Sequence, residues 1–187
     1  LPHDRGKTRG LRVRGGVMVR EVQVKVKRLT AEEFEEFGTV IELPKTSPTF
    51  TSDILDYWDA VANMGDVLVD IGYLVVKHRP FEFTKMERHV KTPEGFIPLG
   101  GGCSIFPLAP AGGLDKPEAT PKPEEIVAFI LDGTKGVILK PGVWHWAPFP
   151  LGDQAHLLVL LRRGTVKDDL DIKDLRERLG VKMRITL

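Results

Sequence analysis

Cysteine, asparagine and glutamine are all scarce in this chain of 187 residues. The single cysteine, Cys103, excludes an intrachain disulfide and any zinc site built from several cysteines. The side-chain amides number three, at Gln23, Asn63 and Gln154. A shortage of these heat-labile residues beside abundant Lys, Arg and Glu is typical of proteins from thermophiles. The composition therefore predicts a thermophilic source.

Long apolar runs are also missing. No apolar stretch approaches the ~20 residues that a membrane span needs, and no apolar signal-peptide core lies near the first residues. Hydrophobic residues make up 42% of the chain and charged residues 28%, which excludes collagen-like and mostly disordered proteins. We expect a soluble, cytoplasmic protein with no membrane partner.

The net charge of +1 conceals an uneven distribution. Residues 1–28 hold nine of the 27 basic residues but two of the 26 acidic ones. A basic arm is a feature of some nucleic-acid-binding proteins. Residues 1–17, however, are rich in Gly and Arg, lack aromatic side chains and precede Met18. We interpret them as an N-terminal extension of a single domain over residues 18–187, and we do not expect a nucleic-acid partner.

Short apolar segments separated by turn residues dominate the domain. Val22, Val24 and Val26 alternate with polar residues, which is the period of a half-buried strand. Further strands are expected at residues 67–76, 96–99, 104–109, 126–131, 137–139, 156–161 and 181–187. A capping box at Thr30 predicts a short helix, and residues 168–179 have helical apolar spacing. Many short strands with helices near the ends predict a mainly β fold, a sandwich or barrel.

Two segments concentrate residues that can carry chemistry. Glu87 and His89 are two residues apart, so on a strand they share one face. Glu94 follows after a short turn, and His145 follows the Pro141-Gly142 turn. The spacing resembles the two motifs of a cupin barrel, in which H-x-H, a later Glu and a Gly precede Pro, Gly and a final His. Glu87 stands where the first His of that pattern would be.

These four side chains would meet on one interior wall. Two imidazoles and two carboxylates suit a divalent metal such as nickel, zinc, iron or manganese. Burying them is costly unless they are paired or bound to a ligand. The alternative is a set of polar side chains that only hydrogen-bond to one another. No Gly-rich phosphate-binding loop occurs, so no organic cofactor is expected.

The motifs resemble those of the ureidoglycolate lyase family, in the same order along about residues 20–162. The matching segments are Glu87-Arg88-His89, residues 94–98 (EGFIP), Ala128-Phe129, residues 133–137 (GTKGV) and residues 143–145 (VWH). The resemblance implies a cupin-type double-stranded β-helix (jelly-roll) barrel with a few short peripheral helices, often a homodimer. It implies cleavage of ureidoglycolate to glyoxylate and urea in purine (allantoin) breakdown, with a divalent metal in some members.

The resemblance and the chemistry of the substrate together suggest roles. Ureidoglycolate is a carbinolamine, so its cleavage needs a base at the hydroxyl and an acid at the departing nitrogen. The candidate catalytic residues, which are also the candidate metal ligands, are Glu87, His89, Glu94 and His145. The candidate substrate-binding residues are Lys77, Arg79, Arg88 and Trp144. The expected partner is a small hydroxy acid or ureido acid.

Four residues depart from the family pattern, namely Glu94, Trp146, Asp56 and Trp58. Glu94 replaces a Gln, Trp146 replaces a second His, and residues 56–59 (DYWD) stand where the family often has Arg-Tyr-His-Asp. Function depends on the site and not on the fold alone, so alternatives stay open. They are another metal-dependent cupin enzyme such as a sugar isomerase or oxygenase, which Glu94 favours, a non-catalytic small-ligand-binding cupin, and a nucleic-acid binder that uses the basic arm.

Overall fold

Short strands are the main regular structure in the described part of the chain, residues 18–187 of a computed structural model. The strands are β1 (Arg20–Arg28), β2 (Gly38–Ile41), β3 (Phe50–Thr51), β4 (Asp56–Tyr57), β5 (Val69–Lys77), β6 (Glu82–Phe83), β7 (Lys85–Arg88), β8 (Glu94–Leu99), β9 (Ser104–Ala109), β10 (Val127–Leu131), β11 (Gly136–Leu139), β12 (Trp144–His145), β13 (Phe149–Pro150), β14 (Gln154–Arg162), β15 (Asp171–Asp174) and β16 (Val181–Thr186). The helices are α1 (Ala31–Phe34), α2 (Thr165–Asp168) and α3 (Leu175–Leu179), and a 3-10 turn spans Pro123–Glu125. The proposed extension, residues 1–17, lies outside the described residues. Within them, no helix has the length and apolar character to cross a membrane.

Two large sheets face each other. The first has the order β15-β7-β12-β9-β10-β1-β16-β6, with β13 also paired to β9, and the second has the order β2-β11-β8-β14-β5. Strand β1 runs parallel to β10 and β16, whereas the other pairings are antiparallel. The chain passes repeatedly from one sheet to the other, as at β8–β9 and β10–β11–β12. The small β3–β4 hairpin stands apart from both sheets.

The main core lies between the two sheets. On β9, Phe106 and Leu108 point into it, and on the neighbouring β10 Phe129 and Leu131 do the same. The ring of Phe129 meets the ring of Phe34 from α1 edge to face, with centroids 5.1 Å apart. Strands β8, β11 and β14 of the second sheet contribute the opposite wall. Period-two alternation therefore assigns every second residue of these strands to the interior of the barrel.

A second core lies on the other face of the first sheet. Ile105 and Ala109 of β9 point into it, together with Trp144 of β12 and Leu175 of α3. The sheet curls around this core, because β6 at one end of the strand order and β7 near the other end are separated in the chain by one residue. Neighbouring residues of β12 consequently face opposite cores.

The predicted strands are confirmed with shifts of a few residues at their ends, and so is the mainly β, cupin-type barrel with short peripheral helices. The predicted helix over residues 168–179 is confirmed only in its second half and is wrong in its first half. Its first half contains β15, in which Asp171 pairs with Arg88 of β7, and α3 begins only at Leu175. Asp174 caps α3 by accepting from the amides of Arg176 and Glu177. Pairing with β7 outweighs the local helical pattern, which carries only a weak preference.

Candidate active site

Four ionisable side chains meet between the two sheets. Glu87 lies on β7, His89 follows it directly, Glu94 begins β8 and His145 ends β12. The Nε2 atom of His145 is 3.0 Å from Oε2 of Glu94 and 3.5 Å from Oε1 of Glu87. The Nε2 atom of His89 is 3.5 Å from the same Glu94 oxygen. The sequence-predicted group thus forms one cluster.

Strand pairing and one tight turn bring the cluster together. Residue 145 of β12 lies directly opposite Glu87 of β7. The turn before β12 holds Gly142 at φ +81, a conformation that suits glycine at the third position of a type II turn after Pro141. The Gly142 amide donates to the carbonyl of His89 over 2.6 Å. The turn that the sequence predicted therefore also ties the two histidine segments to each other.

Each imidazole is anchored through its Nδ1 atom to a backbone carbonyl. His89 Nδ1 donates to the carbonyl of Asp169, and His145 Nδ1 donates to the carbonyl of Val143 over 3.2 Å. A carbonyl can only accept, so each Nδ1 carries a hydrogen. Both Nε2 atoms are then directed at the carboxylates of Glu94 and Glu87.

The cluster is buried and strongly coupled. His145 is 2% exposed and Glu94 is 6% exposed. Burial lowers the pKa of His145, but the charges of Glu94 and Glu87 outweigh burial and raise that pKa to about 10. Burial raises the pKa of Glu87, yet its interaction with His145 and the charge of His89 leave that pKa below its ordinary value. His145 without a bound ligand is therefore an imidazolium at neutral pH.

The donor set fits a divalent metal. Nε2 of His145 and Oε2 of Glu94 are buried atoms without a well-aligned hydrogen-bond partner among the described residues. One ligand atom each from Glu87, His89 and His145 lie within 4.8 Å of one another. Histidines that bind metals commonly donate their second N–H to a backbone carbonyl, as both do here. Imidazole with carboxylate suits zinc, iron, nickel and related ions.

Arg88 and Trp144 lie on the reverse face of the strands that carry the cluster. The Arg88 guanidinium sits 4.5 Å from the Trp144 ring centre and donates to the Asp171 carboxylate over 2.9 Å. It also donates to the carbonyls of Gly112 and Lys116. This packing holds β7 and β12 side by side. None of these bonds reaches the cluster, and substrate contact by the two residues stays a prediction.

Lys77 is the last residue of β5, and Arg79 lies two residues beyond it. Arg79 donates to the carbonyls of Ala147 and Pro148, and its guanidinium covers the Phe149 ring at 3.8 Å. The Lys77 side chain is exposed. None of the hydrogen bonds of Arg79 reaches the cluster, so the structure does not join these two cations to it. Their role in substrate binding also stays a prediction.

Asp169 is a residue at the cluster that the sequence did not indicate. It is 80 positions from His89 in the chain, and it falls in the segment predicted as helix. No local pattern signals such a contact, because it arises only from tertiary pairing. Of the departures from the family pattern, Trp146 packs against the second core and Trp58 donates to the Thr46 carbonyl. Glu94 alone among them belongs to the cluster.

Comparison with known proteins gives a consistent family match. The family profile described as ureidoglycolate lyase matches residues 21–182. Ureidoglycolate lyase of Burkholderia mallei (strain NCTC 10229) is 33% identical over 146 residues, covering 74% of this chain and 82% of the relative. Ureidoglycolate lyase of Burkholderia cepacia is 31% identical over 156 residues, covering 79% of this chain and 84% of the relative. Among solved structures, RmlC from Streptococcus suis in complex with dTDP-D-xylose shares 11% identity at a TM-score of 0.34, over 50% of this chain and 43% of that chain.

Proposed function

We propose that this chain, which belongs to the ureidoglycolate lyase family, cleaves ureidoglycolate to glyoxylate and urea. The observation that carries the proposal is the convergence of two anchored imidazoles and two carboxylates between the sheets. The reaction moves two protons: one leaves the substrate hydroxyl as the carbonyl forms, and one joins the nitrogen as the C–N bond breaks. A site for it needs one group that accepts a proton and one that donates.

The two histidines divide these tasks. Nδ1 of His89 carries a hydrogen that it donates to the Asp169 carbonyl, so Nε2 is the atom that accepts the hydroxyl proton. His145 is an imidazolium at neutral pH because Glu94 and Glu87 raise its pKa to about 10. Its Nε2–H donates to the urea nitrogen as that nitrogen takes up the electron pair of the broken bond. Glu87 and Glu94 orient the rings and balance their charge.

A divalent metal is the second way to use the same atoms. Glu87, His89 and His145 would hold it, with Glu94 beside them. A bound metal would polarise an oxygen of the substrate as a Lewis acid. A metal and a transferred proton occupy the same Nε2 lone pair, so a histidine that holds the metal cannot transfer a proton at the same time. Activity measured before and after chelation, with metal content quantified, distinguishes the two roles.

The test is glyoxylate release from racemic ureidoglycolate, corrected for spontaneous decay. We expect turnover well above the uncatalysed rate, and a loss of about 10²–10⁴-fold in His89→Gln and in His145→Gln. His78→Gln is the matched control, because His78 is exposed and follows β5 outside the cluster. Full activity in both cluster variants would overturn the proposal.

A second candidate function is another reaction of a metal-dependent cupin, such as sugar isomerisation or oxygenation. Glu94 favours it, because a carboxylate at this position completes the general cupin motif and its Oε2 is 3.0 Å from His145 Nε2. Bound metal without glyoxylate release would support this candidate. Neither metal nor turnover, together with stabilisation by a small hydroxy acid, would support a non-catalytic binding barrel.

We also propose that the chain acts as a homodimer that covers the outer face of the second sheet. Ile71 and Tyr73 of the edge strand β5 are 70% and 64% exposed there. They lie beside Leu160 and Leu158 of β14, so the apolar face continues across two strands. Extended exposed apolar surface commonly marks a protein interface. A Tyr73→Lys variant should sediment as a monomer where the unmodified chain sediments as a dimer; a monomeric unmodified chain would contradict this.

Three expectations from composition and sequence stay predictions. They are a cytoplasmic location, a thermophilic source and a single domain over residues 18–187. Half-lives of unfolding at high temperature would test the second, and limited proteolysis would test the third.

A further inference from the structure

Asp169 binds the His89 segment at three points. Its carboxylate accepts from the amides of Val90 and Lys91, each over 2.9 Å, one amide to each oxygen. Its backbone carbonyl accepts from Nδ1 of His89. The residue is 7% exposed, so these bonds form away from solvent. The Asp169 amide in turn donates to the Thr165 carbonyl over 2.8 Å, which fixes the residue to α2.

These bonds determine which nitrogen of His89 faces the cluster. A neutral imidazole carries one hydrogen, on Nδ1 or on Nε2, and the partner of one nitrogen selects the tautomer. With hydrogen on Nδ1, the Nε2 atom of His89 carries a free lone pair and lies 3.5 Å from Glu94 Oε2, within the cluster. Hydrogen on Nε2 would occupy that lone pair and leave the Asp169 carbonyl without its donor. The carboxylate matters because it holds that carbonyl in register with the His89 ring.

We propose that Asp169 is a positioning residue that fixes the His89 tautomer with hydrogen on Nδ1 and so presents the Nε2 lone pair to the cluster. Its carboxylate anchors the segment and its carbonyl selects the tautomer. The kinetic part of this inference rests on the proposed lyase function. The tautomer part does not, because it concerns the free chain.

The direct measurement is the tautomeric state of His89, observed by two-bond 1H–15N NMR of 15N-histidine-labelled, metal-free protein. The chain contains five histidines, and comparison with the His89→Gln variant assigns the His89 signals. We expect hydrogen on Nδ1 in the unmodified chain. In Asp169→Asn we expect mixed tautomers, because the new amide keeps one acceptor oxygen but turns an N–H2 group toward the second backbone amide.

Kinetics and metal binding give two further measurements. Loss of a residue that orients a metal-binding or catalytic histidine typically lowers affinity or activity about 10–100-fold. We expect a loss of that size in kcat for ureidoglycolate in Asp169→Asn, with KM little changed, and a similar loss in affinity for Ni²⁺ alone. Asp169→Glu, which retains the carboxylate, should recover part of each.

Asp174→Asn is the matched control. Asp174 also accepts from two backbone amides, those of Arg176 and Glu177, at 2.9 and 3.2 Å, but it caps α3. Both variants should lower the melting temperature, because each weakens hydrogen bonds to two backbone amides. Only Asp169→Asn should change the His89 tautomer and the Ni²⁺ affinity, and both should stay unchanged in Asp174→Asn.

The outcomes separate this inference from the lyase function. A folded Asp169→Asn variant with His89 still in the Nδ1–H form and unchanged Ni²⁺ affinity would overturn the inference, whatever its turnover. A shifted tautomer in a chain that never releases glyoxylate would support the inference and overturn the lyase function. If Asp169→Asn does not fold, Asp169→Glu should show a smaller change of the same sign, because its longer side chain displaces the carbonyl from the His89 ring. A folded Asp169→Glu variant with the tautomer, kcat and Ni²⁺ affinity of the unmodified chain would then overturn the inference.

Discussion

The buried His145 makes the stability of the metal-free protein depend on alkaline pH. The carboxylates of Glu94 and Glu87 raise its pKa to about 10 in the folded chain, from an ordinary value of 6.5. Because the folded pKa is the higher one, the folded state binds the proton more tightly than the unfolded state. The stabilisation is complete below about pH 6.5 and is lost as the pH rises toward about 10.

The magnitude follows from the size of the shift. One pKa unit corresponds to about 1.4 kcal/mol, so stability should fall by about that much per pH unit within this window. The whole loss is on the order of 5 kcal/mol. A domain of this kind has about 5–15 kcal/mol of stability in total. The effect is therefore large enough to measure by chemical unfolding.

The assay is urea unfolding in the presence of a chelator at three pH values from near neutral to about pH 9.5. His145→Gln serves as the reference, because alkaline titration of lysines and tyrosines contributes equally to both proteins. We expect the free energy of unfolding to fall more steeply in the unmodified chain than in His145→Gln. Glu94→Gln should flatten the dependence, because the Glu94 charge is the strongest of the influences that raise the His145 pKa. Equal slopes in the unmodified chain and His145→Gln would refute the reasoning.

Three further predictions concern Arg88, Cys103 and the binding of metal at the cluster. Arg88→Met should destabilise the protein by about 1–3 kcal/mol, because it removes one of the two cations on the partly buried Asp171 carboxylate, which Lys173 still contacts, and leaves the carbonyls of Gly112 and Lys116 without their donor. Arg163→Met, at an exposed ion pair, should change stability by less than about 1 kcal/mol in the same urea assay. Similar losses in the two variants would contradict this. Burial, and then the charge of Asp132, raise the pKa of the Cys103 thiol. Iodoacetamide should therefore alkylate Cys103 more slowly than a free thiol near pH 8.5, and Asp132→Asn should speed the reaction modestly. Alkylation at the free-thiol rate would count against the raised pKa. Metal binding should displace the His145 proton, so the Ni²⁺ affinity should rise by up to about tenfold per pH unit between neutral pH and about pH 9. Calorimetry in buffers of different ionisation enthalpy should detect the released proton. Binding without proton release would contradict the assignment of His145 as an imidazolium.

The sequence was sufficient for most of the long strands and for the four cluster residues. Period-two alternation located β1 because Val22, Val24 and Val26 turn inward between exposed polar residues. Glu87 and His89 point to one face because they are two residues apart, and Pro141-Gly142 specified the turn before His145. These features depend on neighbours within a few residues, so they are visible without the fold.

The remaining features depend on contacts between distant residues. β15 has the local pattern of a helix and becomes a strand only because it pairs with β7. Arg88 is a cation near two cluster residues in sequence, yet the strand turns it to the opposite face, where Asp171 and backbone carbonyls receive it. Asp169 has no motif of its own. The direction of the Arg88 side chain follows from strand alternation. Pairing between segments about 80 residues apart decides the strand state of β15, the carboxylate partner of Arg88 and the contact of Asp169, and no local signal encodes it.

Glu94 decides whether the cluster follows the chemistry of its family. Trp146 and Trp58, two other residues that depart from the family pattern, contact groups outside the cluster, so they change packing and not the charge beside the histidines. Glu94 adds a buried carboxylate 3.0 Å from His145 Nε2 where the family pattern has a neutral amide. Glu94→Gln restores that amide with nearly the same shape.

If the chain is a ureidoglycolate lyase, the Glu94→Gln variant should keep glyoxylate release within about tenfold of the unmodified chain. The alkaline limb of its pH–rate profile should shift to lower pH, because His145 loses its proton at lower pH. If the carboxylate instead serves another cupin reaction, the unmodified chain should release no glyoxylate and bind divalent metal more tightly than Glu94→Gln does. A Glu94→Gln variant that loses glyoxylate release entirely while remaining folded would show that the carboxylate itself takes part in the cleavage, which contradicts the division of roles between the two histidines.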